Sequence, residues 1–288
     1  MSGLLLLLFF MRLTGGDAER LCREGKYAQA GVVYRALIVR NPNSAEDWAG
    51  FGRSLLELGN REATVPLVRA LQLKPADPDI ELTLARAELR NGNVSAAVAL
   101  LEPLTHRTPD RPEPFFLLGQ TMYNGGFYQR ALQLLGQSLA LDPTNRQAGI
   151  MYAISLAKAG RSAEAEAACL KILSETQSGW DLDLALTYVE LLDDAGRTPE
   201  ASHYVDRVIQ DRPQDPMAHF WKARVLLHSE HLAEAAREAE RSVSLAPSLP
   251  FARNLLVQIY RRQGRLEEAQ RQAAWLREHD EKMAGPGH

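Results

Sequence analysis

A glycine returns along this chain at near-constant intervals. It stands at Gly25, Gly59, Gly92, Gly126, Gly160, Gly196 and Gly264, with Glu230 in the one vacant place, so that successive steps are 34, 33, 34, 34, 36, 34 and 34 residues. An alanine follows each, four residues on in the second copy and five elsewhere, giving Ala30, Ala63, Ala97, Ala131, Ala165, Ala201, Ala235 and Ala269. Prolines close the pattern at Pro42, Pro75, Pro109, Pro143, Pro213 and Pro247, with Gln177 where the fifth copy should have one. A short unit repeated eight times cannot bury its apolar faces alone and must stack on its neighbours. The 288 residues therefore read as one array over residues 17–280, between an apolar N-terminal segment, 1–16, and a flexible tail, 281–288.

Each repeated feature has a physical reason. In the fourth copy the apolar residues Phe115, Leu118 and Met122, then Ala131, Leu132, Leu135 and Leu139, fall at helical spacing in two blocks. Small residues at Gly52, Ala85, Gly119, Ala153 and Ala223 let two helices approach closely. The glycine between the blocks permits a tight turn with positive φ, so the copy with Glu230 is expected to keep that helix end out of the left-handed region. Proline then stops the second helix. The second copy, with Trp48, Phe51, Gly52, Leu55, Ala63, Leu67 and Pro75, and the fourth, with Phe115, Leu118, Gly119, Met122, Ala131, Leu135 and Pro143, resemble the tetratricopeptide repeat. The resemblance covers all eight copies. It implies an all-α, right-handed superhelical solenoid of helical hairpins whose first helices line a concave groove for peptides or protein segments.

Two copies depart from the pattern. The link "SETQSGWD" is two residues longer and carries Trp180, which either adjusts the local pitch of the superhelix or offers a partner contact. The seventh turn reads "HSEHLAEA". Its His228 and His231 have a conceivable metal spacing with Glu230 as third ligand, but a turn segment with one weak third donor does not make a metal site.

Composition limits the partners. The net charge is -3, with 27 Arg and 6 Lys spread among 36 acidic residues, so no sustained basic stripe is present for nucleic acid. Cys22 and Cys169 fall at helical core positions of distant copies and read as reduced small hydrophobes. Leu4 to Met11 is too short to span a bilayer yet long enough for the apolar region of a signal sequence. It fits either targeting to or anchoring in a bacterial envelope or periplasm, with membrane contact through Leu4 to Met11, or a cap on the first repeat of a cytoplasmic protein. At the other end, Leu132 and Leu139 of copy four and Ala236 and Val243 of copy seven give way to Gln270 and Arg277, the polar outer face of a terminal repeat. Ala131 is expected at a helix contact, and Ala148, near a helix start, is expected to tolerate change better.

No set of residues for nucleophilic, acid–base or phosphate chemistry remains once the repeat is accounted for, so the chain reads as a non-enzyme with no cofactor and no metal. Asp181 and Asp183 suit a helix start. Counting from the small residue of each first helix, the groove is expected to present Arg53, then Arg86 and Arg90, then Phe116, Gln120, Tyr123, Asn124, Ile150 and Ile154. Glu190, Asp193 and Asp194 follow, then Arg224. This zoning runs basic, apolar and aromatic, acidic, then basic. The Lys, Asn, Asn, Lys, Arg clamp of chaperone-tail-binding members is not matched, since Ala49, Arg53, Thr83, Glu113 and Leu117 stand at its sites. The expected function is a non-catalytic scaffold that captures a peptide or protein segment in the groove. The alternative is a membrane-tethered envelope assembly or secretion factor that uses the convex face and the array ends. The oligomeric state is not set by the sequence.

Overall fold

Every repeat copy forms two helices joined by a short turn. In the computed structural model, which describes residues 13–175 and 180–284, the hairpins are α1 (Gly15–Arg23) with α2 (Tyr27–Arg40), α3 (Ala45–Glu57) with α4 (Thr64–Leu73), α5 (Pro78–Arg90) with α6 (Val94–Arg107), and α7 (Pro112–Asn124) with α8 (Tyr128–Leu141). They continue as α9 (Arg146–Lys158) with α10 (Ser162–Ser174), α11 (Leu182–Asp194) with α12 (Thr198–Asp211), α13 (Pro216–His228) with α14 (Leu232–Leu245), and α15 (Pro250–Arg262) with α16 (Leu266–Ala284). A 3-10 turn, Arg61–Ala63, leads into α4, and no strand occurs among the described residues. The fold is the expected all-α solenoid of hairpins. The chain parts into two compact units, Met1–Ala148 and Gly149–His288, and α16 runs past residue 280 to Ala284.

The turns carry the period. All seven repeat glycines lie in the left-handed region, with φ between 72° and 83°. Glu230, expected to avoid that region, adopts φ 62° as well. The reason is the hydrogen bonding of the hairpin. His231 N donates to Leu226 O at 2.9 Å and Glu230 N to Leu227 O at 3.2 Å, the same pair of bonds that Phe127 N and Gly126 N make to Met122 O and Tyr123 O. A helix end closed in this way requires positive φ at one residue whatever its side chain. First helices begin on side-chain caps: Ser44, Asp77, Asn145, Asp181 and Asp215 each accept from a backbone N–H two or three residues on.

The core is built on close approach. The eight repeat alanines are between 0 and 3 % exposed. A Cβ at Gly52 would lie 2.5 Å from Leu67 Cγ, and one at Gly119 2.9 Å from Leu135 Cγ, so these contacts within hairpins two and four admit no side chain. Ala148 is fully buried and belongs with the core, contrary to its expected tolerance, because Asn145 caps the helix and turns Ala148 inward on its first turn. Trp180 is 6 % exposed. It stacks on Tyr204 at 5.5 Å and 26° beneath the Arg207 guanidinium at 4.3 Å, while Tyr204 meets Tyr188 edge-on at 4.8 Å. Trp180 is thus held in an aromatic core and is not a partner contact.

Gln270 and Arg277 are exposed on α16, as their polar character requires. Cys169 is fully buried, and desolvation pushes its thiol up to about 12. Cys22 lies half-buried with its Sγ 3.7 Å from Ser54 Oγ, and both cysteines are free. Leu4 to Met11 and Gln177 lie outside the described residues, among which no helix is long and apolar enough to cross a membrane.

Candidate functional site

The first helices of one hairpin after another carry the predicted site residues. In the first unit Arg53 on α3 and Arg86 on α5 are exposed at equivalent positions of adjacent repeats, and neither makes an ion pair or side-chain hydrogen bond among the described residues. Arg90 differs: its Nη1 donates to the carbonyl of Leu56 near the end of α3, so it straps two hairpins together. On α7, Asn124 is exposed and Gln120 half-buried. Tyr123, half-buried, meets the Tyr128 ring edge-on at 6.1 Å. Phe116 packs against the buried cluster containing Leu82, Ala85 and Leu118, which leaves part of its ring at the surface.

The second unit differs from expectation. Ile150 is half-buried, but Ile154 is 4 % exposed and belongs to the core, not to an exposed anchor. Asp193 is likewise 4 % exposed. Successive first helices touch, α11 with α13 and α13 with α15, and side chains at these seams are covered by the next repeat. Charge at the seams is therefore paired. Asp193 holds Arg224 Nε at 3.0 Å and His228 Nδ1 at 2.8 Å, Arg224 also binds Asp194, and Lys158 Nζ reaches Glu190 Oε2 at 3.3 Å. Arg262 Nη1 reaches Glu230 at 3.0 Å. The Arg224 guanidinium also lies over the Trp221 ring at 4.7 Å.

The acidic zone expected from Glu190, Asp193 and Asp194 is thus neutralised by Lys158 and Arg224, with His228 as a further hydrogen-bond partner of Asp193. Sequence reasoning missed this pairing, yet its signal is present: the charged partners stand 30 to 32 residues apart, about one repeat, on successive first helices.

The second helices of the first unit frame hollows of their own. One, of about 490 Å3, lies between α2 and α4, with Trp48, Phe51 and Leu55 of α3 as its floor and Arg35, Glu62 and Val65 on its sides. Another, of about 420 Å3, lies between α6 and α8 over Phe115, edged by His106, Arg130 and Gln137.

Comparison with known proteins agrees with this geometry. Tetratricopeptide repeat family models match residues 62–118 and 126–179, and a further tetratricopeptide repeat model matches 189–250. Among curated relatives, a beta-barrel assembly-enhancing protease of Yersinia pestis is 26% identical over 136 residues, which is 46% of this chain and 28% of that protein. The chain thus matches less than a third of that relative's length. A tetratricopeptide repeat protein of Parabacteroides merdae has a similar structure, with TM-score 0.59 and 17% identity, covering 87% of this chain and 98% of that one. The C-terminal part of a repeat protein from Cytophaga hutchinsonii gives TM-score 0.63 at 16% identity, over 84% of this chain and 99% of that one. The Pseudomonas aeruginosa protein pilF gives 0.62 at 20% identity, over 74% and 97%. Repeat turns, buried small residues and these matches coincide over the same copies, and the chain belongs to the tetratricopeptide repeat family.

Proposed function

We propose that this protein-interaction scaffold works without chemistry of its own and captures a carboxylate-bearing segment of a partner protein along the first-helix face of its first unit. One observation carries the reading: Arg53 and Arg86, one repeat apart, are exposed and make no ion pair among the described residues, whereas the charges at the corresponding level of the second unit are paired with charges on neighbouring helices. Two like charges held on adjacent helices repel, and an anionic ligand relieves that repulsion. Gln120 and Asn124 on the next first helix add donors and acceptors for a partner main chain, and the exposed parts of Phe116 and Tyr123 add apolar contact.

A second reading, a membrane-tethered envelope assembly or secretion factor, is favoured by the match to a beta-barrel assembly-enhancing protease, over 28% of that protein.

The test of the first reading is capture from lysate followed by titration of the recovered partner. Arg53→Glu with Arg86→Glu is expected to weaken binding at least about tenfold at low salt, the difference shrinking as salt rises. Arg237→Glu, exposed on α14, is expected to leave binding unchanged. Equal binding by the double reversal and the wild type would exclude this face as the site.

A further inference from the structure

The opposite face of the first unit has a surface that the first-helix reading leaves unused. Val32 and Val39 on α2 are 52 and 84 % exposed, and Val65 and Val68 on α4 are 68 and 42 % exposed. They are not at random positions. Val32 and Val65 each stand two residues after the repeat alanine, where copies three and five carry Ala99 and Ala167 and copies four, six, seven and eight carry Gln133, His203, Arg237 and Arg271, all exposed to water. The fold therefore accepts a polar or a small residue at this position, and packing within the array does not call for valine; four exposed valines on two neighbouring second helices form a patch.

Between the two valine-bearing helices lies the 490 Å3 hollow floored by Trp48 and Phe51, both partly exposed. Protruding valines beside a concavity with an aromatic floor make a surface that carries both a knob and a hole. Its rims carry opposite charges: Arg35 on α2, whose guanidinium lies 5.2 Å from the Phe51 ring centre, and Glu62 at the entry to α4. Neither side chain forms an ion pair among the described residues.

We infer that this face is the interface between two copies of the chain, related by a two-fold axis. A two-fold contact needs a patch complementary to itself, so that each group meets its counterpart twice. Here Val39 or Val65 of one copy fills the hollow of the other, and Arg35 of one copy meets Glu62 of the other at both ends of the contact. Both charge signs and both shapes on one patch make it complementary to itself. This inference does not depend on the first-helix site, since none of its residues is shared.

Sedimentation equilibrium of the purified chain between about 1 and 100 µM tests it, at concentrations that bracket an ordinary micromolar homodimer. A dimer is expected for the wild type, and Val65→Lys, at an exposed position that leaves the fold intact, is expected to give a monomer. Arg35→Glu and Glu62→Arg are each expected to raise the dissociation constant at least about tenfold, and the chain carrying both is expected to return to the wild-type value, because the reversed pair is again complementary. A wild type that stays monomeric at 100 µM, a dimer indifferent to Val65→Lys, or a double reversal no better than the singles overturns the inference.

Discussion

Ala131→Arg is expected to lower the thermal midpoint by about 10 °C or more, the shift that corresponds to a loss of roughly 4 kcal/mol in a domain of this size. Ala131 is fully buried on α8, in the position that all eight copies fill with alanine. Overpacking alone destabilises by about 1–3 kcal/mol, and a guanidinium placed there has no partner, which adds the desolvation of a charge. Ala140→Arg, on the exposed side of the same helix, is the control and is expected to move the midpoint by no more than about 2 °C. Melts followed by circular dichroism separate the two. Equal midpoints would mean that the repeated alanine does not mark the helix contact, and the whole register of the array would fail with it.

The second large effect concerns which arginines hold the fold and which are free. Arg224→Ala leaves Asp193, whose side chain is fully buried, with His228 as its remaining partner. Removing one member of a buried pair is strongly destabilising, but the Arg224 side chain is 26 % exposed and His228 stays within 2.8 Å, so a loss of about 2 kcal/mol is expected, below the full range for such pairs. In hydrogen exchange this appears as an approximately thirtyfold loss of protection for amides in α11 and α13. Arg53→Ala, at an exposed position without an ion pair, is expected to change stability by less than about 0.5 kcal/mol. If Arg224→Ala were as silent as Arg53→Ala, the seam of α11 and α13 would not be a strut, and the first-helix charges of the second unit would be available to a partner after all.

The fold is legible in the sequence because its determinants are local and repeated. Gly126, Ala131 and Pro143 each report a backbone or contact requirement that recurs, the glycine in seven copies, the alanine in eight and the proline in six, so many weak signals combine into one strong one. Glu230 shows where this reasoning stops: the left-handed turn is imposed by hydrogen bonds of the hairpin, and a side chain that disfavours it is overruled. The candidate site is less legible for a different reason. Whether Asp193 meets water depends on the helix of the next repeat, a neighbour about thirty residues away that helical periodicity within one copy cannot see. Arg53 and Arg90 lie on first helices and look alike in sequence, yet Arg90 reaches the Leu56 carbonyl while Arg53 makes no ion pair or side-chain hydrogen bond among the described residues. Pairing residues one repeat apart by charge finds Lys158 with Glu190 and Asp194 with Arg224, but it would equally pair Glu57 with Arg86, which makes no ion pair among the described residues.

The claim that the first-helix face of the first unit receives the partner is tested most directly by placing a photoreactive amino acid at one position at a time and irradiating the chain with its captured partner. Replacement of Gln120 and of Asn124, on α7, is predicted to give a covalent adduct, and replacement of Gln133, exposed on the second helix of the same hairpin, is predicted to give none. Adduct formation from position 133 with none from 120 or 124 would contradict the account and place the partner on the second-helix face.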